Sequence, residues 1–104
     1  MADLPTNPTV RAFVTAINTG DRDAFDSLLA PGAAMSDDGT DRNLDSWVDQ
    51  EIFSAEGRMD VESESDDGRA LIARFTNSSW GTMRTRWHFT INDGTITRFD
   101  TGQA

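Results

Sequence analysis

The spacing of hydrophobic residues changes along the chain, from a period near 3.6 in the first half to a period of 2 in the second. The first apolar stripe follows Asn7-Pro8 and consists of Val10, Phe13, Val14 and Ile17. Asparagine is a favourable N-cap, proline is tolerated at the first helical position, and residues at i, i+3, i+4 and i+7 share one helix face. This pattern predicts a first helix over about residues 8–18.

Two further helices are predicted before residue 55. Gly20 supplies a left-handed stop, and Asp21 can cap a second helix that continues until Pro31-Gly32. Its apolar stripe consists of Phe25, Leu28 and Leu29. The third helix, predicted over roughly 44–54 with a cap at Asn43 or Asp45, carries Leu44, Trp47, Val48 and Ile52.

The remaining segments have the pattern of strands. Residues 33–36 form a short apolar stretch, and Asp37-Asp38-Gly39-Thr40 is typical of a turn that reverses a strand. From Arg58 onward apolar and polar residues alternate, with turn signals at 66–68, 77–79 and 92–94. Ile96 and Phe99 break the alternation in the last strand, over 95–101, which indicates a bulge or a strand end.

The alternation gives the predicted sheet two unlike faces. One face collects Met59, Val61, Leu71, Ala73, Phe75, Trp87, Phe89 and Ile91. The other collects Asp60, Glu62, Glu64, Arg74, Arg84, Arg86 and His88. We expect the apolar face to meet the helices. The ionic face can be a solvated surface with cross-strand ion pairs or an interface with another subunit.

This order of elements predicts an α+β fold, in which three helices from the N-terminal half of the chain pack on a curved antiparallel sheet. Such an arrangement leaves a small pocket between the two layers. With 104 residues the chain is long enough for one hydrophobic core, so a single domain over 1–104 is expected.

Composition narrows the range of functions. The chain has no cysteine and one histidine, which excludes a disulfide framework, a thiolate nucleophile and the usual His/Cys zinc sites. No metal and no cofactor is expected. A formal net charge of −9 disfavours nucleic acid and anionic membranes as partners. The first residues lack the pattern of a signal peptide and no stretch could span a bilayer, so a cytoplasmic location is expected.

The order of elements and several short motifs carry a family resemblance. They are the Asn18-Thr19-Gly20-Asp21 junction between two helices, the Asp-Asp-Gly turn, the Trp-bearing third helix and the terminal stretch Trp-His-Phe-Thr-Ile-Asn-Asp-Gly-Thr-Ile-Thr-Arg-Phe-Asp. Over essentially its whole length the chain resembles the nuclear transport factor 2-like superfamily, which includes SnoaL-like polyketide cyclases, ketosteroid isomerases and limonene-epoxide-hydrolase-like proteins. The resemblance implies a cone-shaped fold with a pocket at its wide end and a homodimer packed through the sheet. The chain is short for the superfamily, which implies a small pocket.

Asp37 is the strongest candidate for catalysis. Counted from Leu29-Ala30, it lies where the resemblance to ketosteroid isomerases implies a proton-shuttling aspartate. A carboxylate desolvated between apolar layers has the basicity that a general base needs. The alternative is that Asp37 and Asp38 only cap the turn before Gly39.

Two departures from the resemblance limit this chemistry. The isomerases stabilise their dienolate with a tyrosine and a protonated acid, but the chain has no tyrosine and Arg84-Thr85-Arg86-Trp87 contains no carboxylate. Steroid isomerisation is therefore not expected. The resemblance to the cyclases implies an acid on the inner face of the last strand. The nearest residue on that face is Thr101, and Asp100 is one residue away. Asp100 is a base only if the register shifts by one; otherwise it is expected to pair with Arg98, Arg86 or His88.

Several aromatic residues can line a ligand cavity, because such pockets are mostly apolar and aromatic. They are Phe13, Trp47, Phe75, Trp87 and Phe99. The same residues can equally form an ordinary core. His88 alternates along its strand in step with Arg84 and Arg86 and is therefore expected on the outer face. Trp80 can be a lid or a dimer contact.

Two functions follow from these features. The first is a SnoaL-like pocket protein that binds a small apolar or aromatic metabolite, with isomerase-like or cyclase-like acid–base chemistry at Asp37. The second is a noncatalytic domain of the same fold that dimerises or binds a partner.

Overall fold

The computed structural model describes residues 5–104, which fold into three helices and six strands. The helices are α1 (Pro8–Thr19), α2 (Arg22–Ser27) and α3 (Leu44–Val48), and α3 continues as a π-helical turn over Asp49–Phe53. The strands are β1 (Leu29–Asp37), β2 (Thr40–Arg42), β3 (Arg58–Ser65), β4 (Ala70–Asn77), β5 (Gly81–Asn92) and β6 (Thr95–Gln103). A 3₁₀ turn over Asp66–Gly68 joins β3 to β4.

The ends of α1 are those that the sequence predicts. The side-chain oxygen of Asn7 accepts hydrogen bonds from the backbone N–H groups of Thr9 and Val10, at 3.0 and 3.2 Å. Gly20 ends the helix with a φ of 68°, a left-handed conformation that glycine adopts without strain. Asp21 then caps α2 by accepting from the N–H of Ala24 at 3.0 Å.

The six strands form one curved sheet in the order β2-β1-β6-β5-β4-β3. All neighbours are antiparallel except β1 and β6, which are parallel. The predicted α+β class is therefore confirmed, but the sheet is mixed rather than antiparallel throughout. Parallel pairing needs a long connection between the two strands, and residues 38–94, more than half of the chain, lie between β1 and β6.

The predicted partition of the sheet into two faces is confirmed except at Glu64. A register shift between Val61 and Ser63 pairs Glu64 with the inward Leu71, and the Glu64 carboxylate accepts hydrogen bonds from Thr6, just before α1. The apolar face contributes buried residues to one core with the helices, among them Met59, Leu71, Ala73, Phe75, Trp87 and Phe89. Arg74, Arg84, Arg86 and His88 are exposed on the opposite, outer face. Phe13 lies at the centre of the core, and its ring centroid is 4.8 to 5.9 Å from those of Phe25, Phe89, Phe99 and Trp87.

The second helix is shorter than predicted, because its last apolar residues belong to the sheet. Helix α2 ends at Ser27 and β1 begins at Leu29. The carbonyl of Leu28 accepts a hydrogen bond of 2.8 Å from the N–H of Ile96, and Leu29 pairs with Ile96. Pro31-Gly32, predicted to end the helix, instead lies where the register between β1 and β6 shifts. Proline cannot donate to a strand ladder, so an irregularity there is expected.

The irregularity predicted for the last strand is also present, as a bulge at Thr97. Thr90 pairs with Arg98 and Ile91 pairs with Ile96, which leaves Thr97 as the extra residue. The bulge allows Ile96 and Phe99, three positions apart, both to be buried.

The third helix occupies the predicted segment but changes its backbone conformation. Asn43 caps it by accepting from the N–H of Ser46 at 3.0 Å. After Val48 the turn widens, and the N–H of Ser54 donates to the carbonyl of Asp49 at 2.8 Å. Such π-helical turns occur often at functional sites. Within residues 5–104, no helix is both long and apolar enough to cross a bilayer.

Candidate functional site

A pocket of about 260 Å³ lies between the π-helical turn, the β1–β2 turn and the inner face of the sheet. Its aromatic lining consists of Trp47, Phe75, Trp80 and Trp87. Its acidic lining consists of Asp37, Asp38 and Glu51. The remaining lining residues are Asn77, Met83, Thr85, Thr101, Gly102 and Gln103. The pocket thus combines four aromatic side chains with several polar and acidic ones, and small-molecule sites also use both kinds of group.

Asp37 ends strand β1 and directs its carboxylate to the pocket rather than to the turn. Its Oδ2 accepts a hydrogen bond of 3.1 Å from the indole N–H of Trp47 on α3. The turn is formed by the next residue, Asp38, which has a φ of 50°. The Asp38 carboxylate accepts a hydrogen bond of 3.0 Å from the backbone N–H of Gln103, which holds the turn against β6. With Gly39 at a φ of 82°, both central residues of this two-residue turn are left-handed, as a type I′ hairpin requires.

Glu51 and Trp80 form the exposed side of the pocket. The indole N–H of Trp80 donates to Oε2 of Glu51, and the Trp80 side chain is 62% exposed. Asn77 joins the two segments: its side-chain N–H donates to the carbonyl of Glu51 at 2.9 Å, and its side-chain oxygen accepts from the backbone N–H of Trp80 at 2.7 Å. The β4–β5 turn is therefore tied to the π-helical turn across the mouth of the pocket.

Buried polar groups form the base of the pocket on strands β5 and β6. The indole N–H of Trp87 donates to Oγ1 of Thr85 at 2.8 Å, and the hydroxyl of Thr101 donates to the carbonyl of Arg86 at 3.0 Å. Thr85 and Thr101 are each about 5% exposed or less. No buried side-chain nitrogen or oxygen among residues 5–104 lacks a hydrogen-bond partner, so these groups hold the pocket wall in a fixed arrangement.

Gly102 makes room at the rim of the pocket for two opposite charges. A Cβ at this position would lie 2.5 Å from Oδ1 of Asp38 and 3.0 Å from Nη2 of Arg86. Any larger residue would displace one of the two side chains. Arg86 approaches the rim from the outer face and is not part of the pocket lining.

The structure brings four of the predicted site residues together and separates the other three. Asp37, Trp47, Phe75 and Trp87 line the pocket. Phe13 and Phe99 are fully buried in the core and do not line it. Asp100 lies away from the pocket, where it accepts from the hydroxyl of Ser36 at 2.6 Å and from Nε of Arg98 at 3.0 Å. The assignment of these residues to binding or catalysis stays a prediction.

Two basic residues of the outer face, His88 and Arg98, lie next to carboxylates. His88 lies 3.4 Å from Oδ2 of Asp66 and does not approach the pocket lining. Arg98 donates to Asp41 at 2.6 Å as well as to Asp100, and the hydrogen bond to Asp41 followed by the charge of Asp100 raises the pKa of the guanidinium.

The sequence does not identify Glu51, Asn77 and Thr85 as site residues, and it allows two roles for Trp80. For Glu51 a signal exists in the sequence, because it follows Trp47 by four residues and a helix would place both on one side. Asn77 and Trp80 lie in a polar break between strands, where the alternation of apolar and polar residues does not predict which face a side chain is on. Among residues 5–104, no three acidic or histidine side chains gather into a group that could hold a metal ion.

The arrangement of three helices on a curved sheet with a pocket at one end is the nuclear transport factor 2-like fold. An NTF2-like protein of unknown function from Cytophaga hutchinsonii superposes with a TM-score of 0.80 at 16% identity, over 99% of this chain and 93% of that one. A candidate polyketide cyclase from Sinorhizobium meliloti gives a TM-score of 0.74 at 24% identity, over 89% and 92% of the two chains. A candidate ketosteroid isomerase from Kribbella flavida gives 0.73 at 14% identity, over 95% and 77%.

These similarities confirm the fold that the resemblance implied. At such identities they establish the fold alone, so the activities of those proteins are not transferred. No protein-family model matches the sequence, and comparison with curated proteins gives no match.

Proposed function

We propose that this protein binds a small apolar or aromatic metabolite in the pocket beside Asp37, and that Asp37 acts there as a general acid and base. The observation that carries the proposal is the position of its carboxylate, which lines a cavity together with four aromatic side chains and accepts one hydrogen bond, from Trp47. A carboxylate has about four lone-pair sites. Oxygen lone pairs of Asp37 therefore remain for a proton of a bound ligand.

The chemistry that suits a carboxylate beside aromatic side chains is transfer of a carbon-bound proton. Asp37 would remove a proton next to a carbonyl group and return it to another atom, as in an isomerisation or an aldol-type ring closure. The side-chain amide of Gln103 lies at the pocket and can donate to the developing oxyanion. The solved structures named as candidate cyclases and a candidate ketosteroid isomerase support this class of reaction.

Binding can be tested without knowledge of the natural ligand, because all three tryptophans line the pocket. Their indole N–H groups give three separate signals in a ¹H–¹⁵N NMR spectrum. We expect 2-tetralone, a neutral aromatic ketone, to shift these signals and to leave the backbone amides of Thr90 and Arg98 on the outer face unchanged. Uniform or absent shifts would contradict a pocket that takes small aromatic molecules.

Catalysis can be tested with the same ketone in D₂O, by following exchange of its carbon-bound protons. We expect the protein to accelerate exchange, and the Asp37→Asn variant to lose about 10²-fold or more of that acceleration. Asp93→Asn, which removes a carboxylate from the distant β5–β6 turn, serves as the control. Equal exchange rates for wild type and Asp37→Asn would remove Asp37 from the mechanism and leave only the binding function.

The second candidate function is self-association through the outer face of the sheet. One observation favours it: within residues 5–104, the guanidinium group of Arg86 is exposed and makes no hydrogen bond or ion pair. A carboxylate from a second copy of the chain would complete its hydrogen bonding. Sedimentation should then show a dimer that Arg86→Glu converts to a monomer, whereas a monomeric wild type would eliminate this function.

A further inference from the structure

The charged residues that line the pocket are all acidic, and the one arginine at its rim, Arg86, approaches from the outer face of the sheet. Three carboxylates, those of Asp37, Asp38 and Glu51, line the pocket, and the lining contains neither arginine nor histidine. The chain has no lysine, and its nine basic residues are all arginines. Because the net charge of the chain is −9, the surrounding field has the same sign as the mouth and attracts positive ligands while it repels negative ones.

The pocket also concentrates aromatic rings. Trp47, Trp80 and Trp87 are the only tryptophans of the chain, and all line this one cavity. The rings of Trp47 and Trp87 have centroids 6.3 Å apart and meet at 70°, so they form two walls of a corner rather than a flat stack. The face of an indole ring carries negative potential and attracts organic cations more strongly than other aromatic side chains do.

Glu51 and Trp80 are held in place at the mouth although Trp80 is largely exposed. The indole N–H bonds to the Glu51 carboxylate, and Asn77 fixes the backbone of both residues. The Glu51 carboxylate accepts one hydrogen bond, from Trp80. Its other lone pairs remain available to a ligand. A carboxylate next to an indole ring, both at fixed positions, is the combination that binds an ammonium group.

We infer that the pocket selects ligands that carry a positively charged amine, and that Glu51 together with Trp80 is the group that recognises it. The apolar part of such a ligand would lie against Phe75 and Trp87, and Asp37 would remain available for proton transfer. The inference rests on the proposed function, because it requires that the pocket bind a small molecule. Asp37, Asp38 and Glu51 do not gather into a group that could hold a metal ion, so the cation of this inference is an organic one.

Three probes of nearly equal shape test this inference by calorimetry and by the indole NMR signals. They are benzyltrimethylammonium, its uncharged carbon isostere neopentylbenzene, and phenylacetate as the anion. We expect the cation to bind about tenfold or more tightly than the uncharged isostere, and phenylacetate to show no binding. The Glu51→Gln variant should weaken binding of the cation about tenfold and change binding of the isostere less than about twofold.

Asp60→Asn is the matched control, since it removes one negative charge from the outer face of the sheet. It should leave the preference for the cation unchanged, which separates the local carboxylate from the general effect of net charge. If the isostere binds as tightly as the cation, or if Glu51→Gln affects both probes equally, the inference is wrong while the binding pocket stands. If no probe binds and no indole signal shifts, the proposed binding function is contradicted as well.

Discussion

The indole N–H of Trp87 donates a hydrogen bond of 2.8 Å to the hydroxyl of Thr85, two residues earlier on the same strand. That hydroxyl in turn donates to the carbonyl of Ala73 on the neighbouring strand at 2.9 Å. Both side chains are buried, so water cannot replace a lost partner. One threonine therefore sets the orientation of a tryptophan ring in the pocket wall.

Replacement of Thr85 by valine should destabilise the protein although the shape of the side chain is preserved. The change leaves the buried N–H of Trp87 without an acceptor, and we expect the free energy of unfolding to fall by about 1–3 kcal/mol. Thr85→Ser keeps the hydroxyl and should cost about 1 kcal/mol for the lost methyl group. Urea denaturation measures both values, and a valine variant as stable as the serine variant would contradict this role of the hydroxyl.

The side chain of Asn18 at the end of α1 holds the edge strand β3. Its oxygen accepts from the backbone N–H of Met59 at 2.7 Å, and its nitrogen donates to the carbonyl of the same residue at 2.8 Å. Asn18→Ala removes both bonds and should cost about 1–2 kcal/mol. Hydrogen exchange gives the specific test, because the Met59 amide should lose protection. If that amide stays protected in the variant, the Asn18 side chain does not hold β3.

Two glycines near the pocket should differ in their tolerance of alanine. A Cβ on Gly57 would meet Cζ of Phe75 at 2.9 Å and the backbone Cα of Ile52 at 3.0 Å, neither of which can move without shifting the π-helical turn or the pocket wall. We expect Gly57→Ala to cost about 1–3 kcal/mol.

At Gly102 the atoms that a Cβ would meet are the ends of the Asp38 and Arg86 side chains, which can move aside. Gly102→Ala should therefore cost less than about 1 kcal/mol. It should also release the N–H of Gln103 from Asp38, which hydrogen exchange would detect. Thermal unfolding of the two variants gives the comparison, and a larger loss for Gly102→Ala than for Gly57→Ala would refute this reading of the two sites.

The sequence contains the local features of this fold but not its long-range pairings. Asn7, Gly20 and the alternation in β4 and β5 each act within a few residues, so their consequences could be predicted. The end of α2 could not, because Leu28 and Leu29 suit a helix stripe and leave it only through pairing with β6, more than 60 residues later. The parallel pairing of β1 with β6 could not be predicted either, because it too joins segments that are far apart in the sequence.

The site was predicted in part, and the limits have a physical cause. Parity along β4 and β5 assigns Phe75 and Trp87 to the inner face, but it cannot separate residues that line a cavity from residues that fill the core. Phe13 and Phe99 fill the core, because the rings of Phe13, Phe89 and Phe99 pack against one another there. Glu51 and Trp80 meet only because the π-helical turn and the β4–β5 turn lie side by side, a contact that neither segment encodes alone.

Glu62 on the outer face should make the stability of the protein depend on pH. Arg74 and Arg84 are direct neighbours across β4 and β5, and the Glu62 carboxylate accepts from both, at 3.1 and 3.0 Å. Hydrogen bonding from Arg84, and then from Arg74, holds the pKa of Glu62 below the ordinary value of a glutamate. The carboxylate thus binds a proton less readily in the folded chain than in the unfolded chain.

A lowered pKa in the folded state stabilises the protein above the pKa of the unfolded chain, and this stabilisation is lost as the pH falls through the folded value. Glu62→Gln should therefore lower the melting temperature most above about pH 4.3, and the difference from wild type should shrink at lower pH. Because Glu62 is exposed, high salt should reduce the difference as well. Asp60→Asn on the same strand is the control, because it removes a carboxylate that forms no ion pair with Arg74 or Arg84. A difference between Glu62→Gln and wild type that stays constant from pH 7 to pH 3 would mean that the ion pair with Arg74 and Arg84 contributes nothing to folding.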